Sequence, residues 1–407
     1  MPPRPVHPTR CRLDVIVGVD GACWANRRGY GRFAREIHGA MVRSSPDDEF
    51  VCFVDEAARA CAPLEAPNVR FVTVPQSRPP TAAASSDGAR SVRDVLRFTR
   101  AVWRARVDVF FSPSVYTYFP LPPTLPAVVT IHDAIAERFP HLTLPSRRAR
   151  IFWAAKVRFA LMQASLVLTV SDHARKDVAS IHRFPSDRIR VAVEAPAEGY
   201  RPIRDERAIR ARAESVGLPA AARWLTYVGG FNPHKNVDVI VRAHARHVRG
   251  DTSGEPLHLL LVGPTEGDVF HGNLAKIRET VAAMGTTRLV HWPGFVPDED
   301  LAHLHSGAVA LLLPSEAEGF GLPAVEAAAC GCPVIATTES PLPELLEGGG
   351  VFVHPGDEGA LFDAISLLVD DPEARATFGR KAEDRARALS WCRAAGVAMD
   401  ALRTAAT

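Results

Sequence analysis

Glu318-Gly-Phe-Gly-Leu-Pro-Ala-Val-Glu326 (EGFGLPAVE) places two carboxylates eight positions apart, with a Gly-Phe-Gly turn directly after the first. The run before it, AVALLLP (308–314), is short and apolar and reads as a buried strand. The Ala-rich segment after Pro323 (AVEAAACG) reads as a helix. Gly319, Phe320, Gly321 and Leu322 therefore sit where a strand ends and a helix begins. Small residues there let bare N–H groups point outward, and the helix dipole adds positive potential, which makes a cradle for phosphate. Glu318 lies before the turn and Glu326 about one helical turn inside. The two carboxylates flank whatever the cradle holds, and each accepts hydrogen bonds from hydroxyls. A ligand with phosphate at its centre and hydroxyl-rich sugars at both ends fits, which is the chemistry of a nucleotide sugar. The other reading is an ordinary strand-turn-helix with solvated acids, but packing alone does not call for GFGLP between them.

Around that motif the chain alternates strands with helical patterns. LDVIVGV (13–19), EFVCFV (49–54), VRFVTV (69–74), VDVFFS (107–112), AVVTIHD (127–133) and LVLTVS (166–171) form one series. WLTYVGG (224–230), LHLLLVG (257–263), RLVHWPG (288–294), AVALLLP (308–314) and CPVIAT (332–337) form a second. Such alternation predicts an α/β chain with parallel sheets covered on both faces. A stretch rich in Pro, Gly and charge at 194–206 (EAPAEGYRPIRDE) separates the series. Two domains follow, 11–196 and 203–390, with a last helical stretch at 391–407. A chain of 407 residues is long for one core, which agrees. Residues 75–90 read as a surface loop, and no repeat of solenoid length is present.

Composition excludes several classes. Apolar residues make up 47% and charged ones 23%, so the chain is globular rather than disordered. A net charge of +2 gives no pull toward nucleic acid. The seven cysteines lack metal-type or disulfide-framework spacing, which reads as a reduced, cytoplasmic setting. Residues 1–10 are Pro- and Arg-rich without an apolar core, so no signal peptide is expected. No apolar run approaches the roughly 18 residues of a membrane span.

Four further places carry chemistry. Lys235, in YVGGFNPHKNV, opens a helix after a Gly-Gly turn. It is one of only five lysines against 43 arginines, so a compact point charge on phosphate is the reading. His132 ends a strand in AVVTIHDAI, and strand C-termini line the ligand crevice of open α/β sheets; a structural histidine is the alternative, with Asp133 merely capping the next segment. Gly29-Tyr30-Gly31 with Ala34 satisfies G-x-G-x-x-A, and Asp55-Glu56 follows a strand. Together they support a competing NAD-dependent oxidoreductase, although GACWANRR intervenes where a true fingerprint would follow its strand directly. Asp298-Glu299-Asp300 matches D-x-D, but after Pro297 it begins a helical pattern, so helix-start acids account for it and no metal is expected. Finally, Arg90, Arg93, Arg97, Arg100 and Arg104 recur at three- and four-residue spacing. Val92, Val95, Leu96, Val102 and Trp103 fall opposite, which predicts one cationic face and one buried face. That cationic face reads either as solvated or as docking to anionic lipid or an anionic acceptor.

The Glu318–Glu326 pattern resembles the E-x7-E motif of retaining glycosyltransferases of family 4 (glycosyl transferases group 1). The resemblance covers most of the chain and is tightest from Tyr227 to about Trp391. It implies the GT-B fold, two Rossmann-like domains facing across a cleft, and transfer of a sugar, as a hexosyltransferase, from a nucleotide-diphosphate sugar. No metal or cofactor is implied, and the acceptor is left open: glycan, lipid-linked or small molecule. A non-catalytic nucleotide-sugar-binding protein is the third reading. By resemblance Glu318 contacts the transferred sugar, Gly319 through Leu322 hold the diphosphate, and Glu326 binds the ribose. Lys235 meets the diphosphate and His132 lies near the donor sugar. Gly31 brings backbone to a phosphate, and the base lies against backbone near Val296. The family often carries an Arg beside that Lys or soon after the strand's glycine; here those places hold His234 and Gly230, so the second phosphate contact is open. The segment VAVEAP also replaces the family's frequent PNG-type turn. Many members act on lipid-linked acceptors at the membrane surface, which keeps peripheral contact with the inner face of the membrane open for this chain.

Overall fold

The computed structural model describes residues 15–78, 80–81, 91–144, 146–251, 254–265 and 272–407. Arg90 and most of the 75–90 loop lie outside them. The first domain holds β1 (Ile16–Asp20), β2 (Glu49–Val54), β3 (Val69–Thr73), β4 (Val109–Ser112), β5 (Ala127–Thr130), β6 (Ala164–Thr169) and β7 (Ile189–Val191). They form a seven-stranded parallel sheet in the order β3-β2-β1-β4-β5-β6-β7. The second domain holds β8 (Arg223–Val228), β9 (Leu257–Val262), β10 (Val290–Gly294), β11 (Ala310–Leu313), β12 (Val334–Thr337) and β13 (Gly350–Val353). Its six-stranded sheet, also parallel, runs β10-β9-β8-β11-β12-β13. This is an α/β chain with two Rossmann-like sheets.

The central strands are buried end to end, as in Leu257–Val262 and Ala310–Leu313. Helices cover both faces, and continuous apolar runs are what two covered faces require. In each sheet the order reverses beside the first strand: β1 lies between β2 and β4, and β8 between β9 and β11. Loops leaving neighbouring strands diverge there and open a crevice at the strand C-termini. The two crevices face each other, and residues from both line one cavity of about 1200 Å³.

The last helix, Trp391–Ala406, packs on the first-domain helix Gly29–Ser44 and on the sheet beside it. Ala394, Ala395, Ala398 and Leu402 are its buried face, and Arg403 binds Asp48 at 2.8 Å. A helix that follows the second domain and packs on the first ties the two together.

Candidate functional site

The second-domain half of the cleft is built by two loops stitched together. One follows β8 (229–236) and the other follows β11 (314–321). The Asn236 side-chain amide donates to the Pro314 carbonyl at 3.1 Å and to Glu316 at 3.0 Å, and the Glu316 N–H donates to the His234 carbonyl at 2.8 Å. This fixes Lys235 opposite Glu318. The Lys235 Nζ lies 2.7 Å from Glu318 Oε1, which also accepts from the Ser315 hydroxyl at 2.6 Å. Glu318 is almost fully buried, so a charge-assisted pair is what allows its carboxylate there.

Gly319 and Gly321 are needed for different reasons. A Cβ on Gly319 would sit 2.5 Å from the His132 carbonyl oxygen and 2.8 Å from Asp133 Cβ. The first domain rests directly on this residue, and the Ser171 hydroxyl donates to the Gly319 carbonyl at 2.6 Å. Gly321 caps the helix Leu322–Ala329 with φ 92°, a left-handed conformation that suits glycine. No hydrogen bond among the described residues uses the N–H of Phe320 or Gly321. Phe320, Gly321 and Leu322, at the helix start, line the cavity.

The first-domain half is led by His132. Its Nε2 lies 3.1 Å from the Pro113 carbonyl, its Nδ1 3.6 Å from Glu194, and its ring stands edge-on to Phe33 with centroids 4.7 Å apart. Asp133 caps the next turn, accepting from the Ile135 N–H at 3.0 Å; burial pushes its carboxyl up. Gly31 is placed differently from the expectation. Its N–H donates to the Arg28 carbonyl at 3.0 Å, and its missing side chain makes room for the Asn26 carbonyl. The cavity is lined instead by its neighbours Gly29 and Tyr30.

Three charged residues went unread in the sequence. Glu194, buried in the segment after β7, faces His132, and burial pushes its carboxyl up. A lone acid in the apolar run VAVEAP was the available signal. Arg32 crosses the cleft to Glu326 at 3.0 Å and also binds Asp298. Arg28 crosses to Asn232, with its Nη1 at 3.4 Å from the side-chain oxygen. Both arginines belong to the run NRRGYGR, where the G-x-G spacing stands beside the charges. Glu326 is fully buried, which pushes its carboxyl up to about 8 while Arg32 opposes the shift. The Arg32 contact meets an ion-pair distance but not hydrogen-bond alignment, so Glu326 Oε1 keeps its acceptor capacity in the cavity wall.

The remaining candidates are also placed. Gly230, His234 and Val296 line the cavity. Burial first, then Lys235 and Arg28, pull the His234 ring down to about 3, so it is neutral. Asp298 is engaged by Arg32 and by the Tyr200 hydroxyl at 3.0 Å, and Asp300 by Arg212 at 3.0 Å. Asp55 caps the short helix Glu56–Arg59 by accepting from the Ala58 N–H. It is not among the residues that line the cavity.

The arginine-bearing helix, Val92–Ala105, requires a correction. Phe98 and Val102 are buried, but Val92, Leu96 and Trp103 are 75%, 60% and 67% exposed. The apolar stripe is wider than the face the core can cover, so half of it lies beside Arg93, Arg100 and Arg104. Helix Arg147–Gln163 repeats this with exposed Ile151, Phe152, Phe159 and Met162. Val92, Phe152 and Phe159 line the cavity, so both helices flank its first-domain mouth.

Two Rossmann-like domains facing across a cleft are the GT-B architecture. The family model for glycosyl transferases group 1 matches residues 210–385, and that for glycosyltransferase family 4 matches residues 28–192. The chain is 30% identical over 291 residues to O-antigen chain mannosyltransferase B of Escherichia coli, covering 70% of this chain and 71% of that one. It is 29% identical to a D-inositol 3-phosphate glycosyltransferase of Corynebacterium aurimucosum, covering 67% of this chain and 64% of that one. The chain belongs to the group 1 glycosyltransferases, enzymes that use nucleotide-sugar donors. Among solved structures, a sucrose-phosphate synthase of Thermosynechococcus elongatus superposes with a TM-score of 0.73 at 20% identity, covering 96% of this chain and 98% of that one. HepE of Anabaena, solved with UDP and glucose, gives 0.70 at 18% identity over 96% and 99%. At these identities the likeness speaks to the fold.

Proposed function

We propose that the chain moves a sugar from a nucleotide-diphosphate sugar to an acceptor, with retention of anomeric configuration and without a metal ion. The observation that carries this reading is the Glu318–Lys235 pair at the start of the Leu322–Ala329 helix, with His132 packed against Gly319 from the other domain. Glu318 orients the transferred sugar. Lys235 and the amides from Gly319 to Leu322 offset the negative charge that grows on the departing diphosphate. His132 stands near the reacting carbon, held by Pro113 and Glu194. Glu326 accepts from the ribose hydroxyls, and backbone at Val296 meets the base. The engagement of Asp298 and Asp300 by arginines supports transfer that needs no cation.

The acceptor enters from the first domain. That arm of the cavity is lined by Val92, Val95, Leu144, Phe152 and Phe159, with Arg148 and Lys156 among them. An acceptor with an apolar portion and an anionic group suits it. The exposed apolar residues and arginines at the same mouth support docking of a cytoplasmic protein on the inner face of the membrane. Among the described residues no helix is long and apolar enough to cross a membrane.

The test is a binding and turnover panel of UDP-, GDP-, ADP- and dTDP-sugars beside NAD, with product anomers read by NMR and turnover repeated in excess EDTA. Turnover of one nucleotide sugar, with retention and in EDTA, is the expected result. Binding of NAD alone, or of a nucleotide sugar with no turnover for any acceptor, would overturn it.

A further inference from the structure

Position 230 has no side chain, and the first domain fills the space. A Cβ built on Gly230 would lie 3.1 and 3.2 Å from the two terminal nitrogens of Arg28, and 2.5 Å from Asn232 Oδ1. Arg28 is held to do this. Its N–H donates to the Asn26 side chain at 2.7 Å, and its carbonyl accepts from the N–H groups of Gly31 and Arg32 at 3.0 Å each. Its backbone, extended at φ −85° and ψ 176°, sits at the start of the Gly29–Ser44 helix. With the main chain fixed, the guanidinium is sent across the cleft, and both Arg28 and Lys235 line the cavity there. Both cations bear on His234, which lies beside Lys235 with its buried Nδ1 lacking a hydrogen-bond partner. A neutral histidine cannot be the second cation of an anion site. Arg28 can, and a planar guanidinium with paired N–H donors matches phosphate oxygens.

We propose that Arg28 is a second diphosphate-binding residue, supplied by the first domain through the gap that Gly230 leaves in the second. It rests on the reading that a nucleotide sugar occupies this cleft. The consequence is a division of labour. Lys235 and the amides at 319–322 hold the diphosphate on one domain, and Arg28 holds it from the other. The diphosphate then favours the closed arrangement, because only there do both sets of contacts form.

The test titrates UDP, GDP and ADP, each beside its monophosphate, into the full chain and into Arg28→Gln. For the nucleotide that binds, Arg28→Gln should weaken the diphosphate by about tenfold or more and shrink its advantage over the monophosphate. The double variant Arg28→Ala with Gly230→Arg should recover the affinity, because the guanidinium then comes from the second domain. It should not recover the compaction seen by small-angle scattering on adding the diphosphate, since both cations then sit on one domain. Unchanged diphosphate affinity in Arg28→Gln, with wild-type binding intact, would overturn the assignment of Arg28 alone. Loss in Arg28→Gln that Gly230→Arg leaves unrepaired, with thermal unfolding of the free protein shifted to match, would make Arg28 a structural residue and overturn it as well. A wild-type chain that binds no nucleoside diphosphate would overturn the nucleotide-sugar reading itself.

Discussion

Glu326 shows how much one position can ask of a fold. The carboxyl is fully buried, burial lifts it to about 8, and Arg32 limits the rise. A carboxyl whose folded value stands above its unfolded value of 4.5 binds a proton in the native state that the unfolded state has released. The contribution of this carboxyl to native stability is therefore full below about 4.5 and is lost as pH rises through about 8. Ribose hydroxyls supply the hydrogen bonds that favour the ionised form, so donor binding should release a proton below pH 8. Calorimetric titration in buffers of different ionisation heat reads that release, and Glu326→Gln should abolish it. Glu326→Ala should cost about 1.5–3 kcal/mol of donor affinity, as expected for a charge-assisted hydrogen bond. Equal affinity in Glu326→Ala would remove the ribose role. Both glutamates stand out in the sequence because a Gly-Phe-Gly turn between an apolar run and an Ala-rich helical segment sets them eight positions apart. Arg28, Arg32 and Glu194 do not, because each meets a partner far away in sequence, the two arginines across the cleft and Glu194 within the first domain. No local pattern encodes such a meeting.

At the scale of elements, eleven strands announce themselves as apolar runs, whereas β7 and β13 do not. Each is an edge strand of three or four residues and mostly only partly buried, unlike the fully buried central strands. The Val92–Ala105 helix fails differently. Periodicity separates its charges from its apolar residues correctly, but it does not say how much of the apolar side the protein covers. The uncovered part, Val92, Leu96 and Trp103, lies next to arginines and beside the similar face of Arg147–Gln163. For a solvated face, apolar residues this large are a liability; for an interfacial helix, they are the inserting side. The chain should float with phosphatidylglycerol vesicles and stay behind with phosphatidylcholine. Leu96→Ser with Trp103→Ser should lower binding at every salt concentration. Arg93→Glu with Arg100→Glu should lower it mainly at low salt, where surface charge is least screened. Equal recovery with both vesicle types would sink the docking surface.

At the scale of the molecule, the site exists only when the two domains meet. His132 and the amides at 319–322 belong to different sheets, and their approach depends on an absent side chain at Gly319. A methyl there meets the His132 carbonyl oxygen at 2.5 Å, and a main-chain oxygen at the end of a strand cannot swing aside as a flexible side chain can. Gly319→Ala should thus leave each domain folded yet hold them apart. The second-domain contacts, Glu318 with Lys235 and Ser315, lie within one domain and should persist, but Arg28 is drawn away with the first domain, so nucleoside diphosphate affinity should fall about as far as in Arg28→Gln, roughly tenfold. Transfer should fall about 100-fold, the order expected when reacting groups are displaced by around an ångström. Donor hydrolysis relative to transfer should rise, because an open cleft admits water. Small-angle scattering with and without the bound nucleotide should show compaction in the wild type and a reduced change in the variant. A Gly319→Ala enzyme that closes fully and keeps wild-type kcat would mean that the contact at His132 is incidental, and the cleft would have to close around some other point.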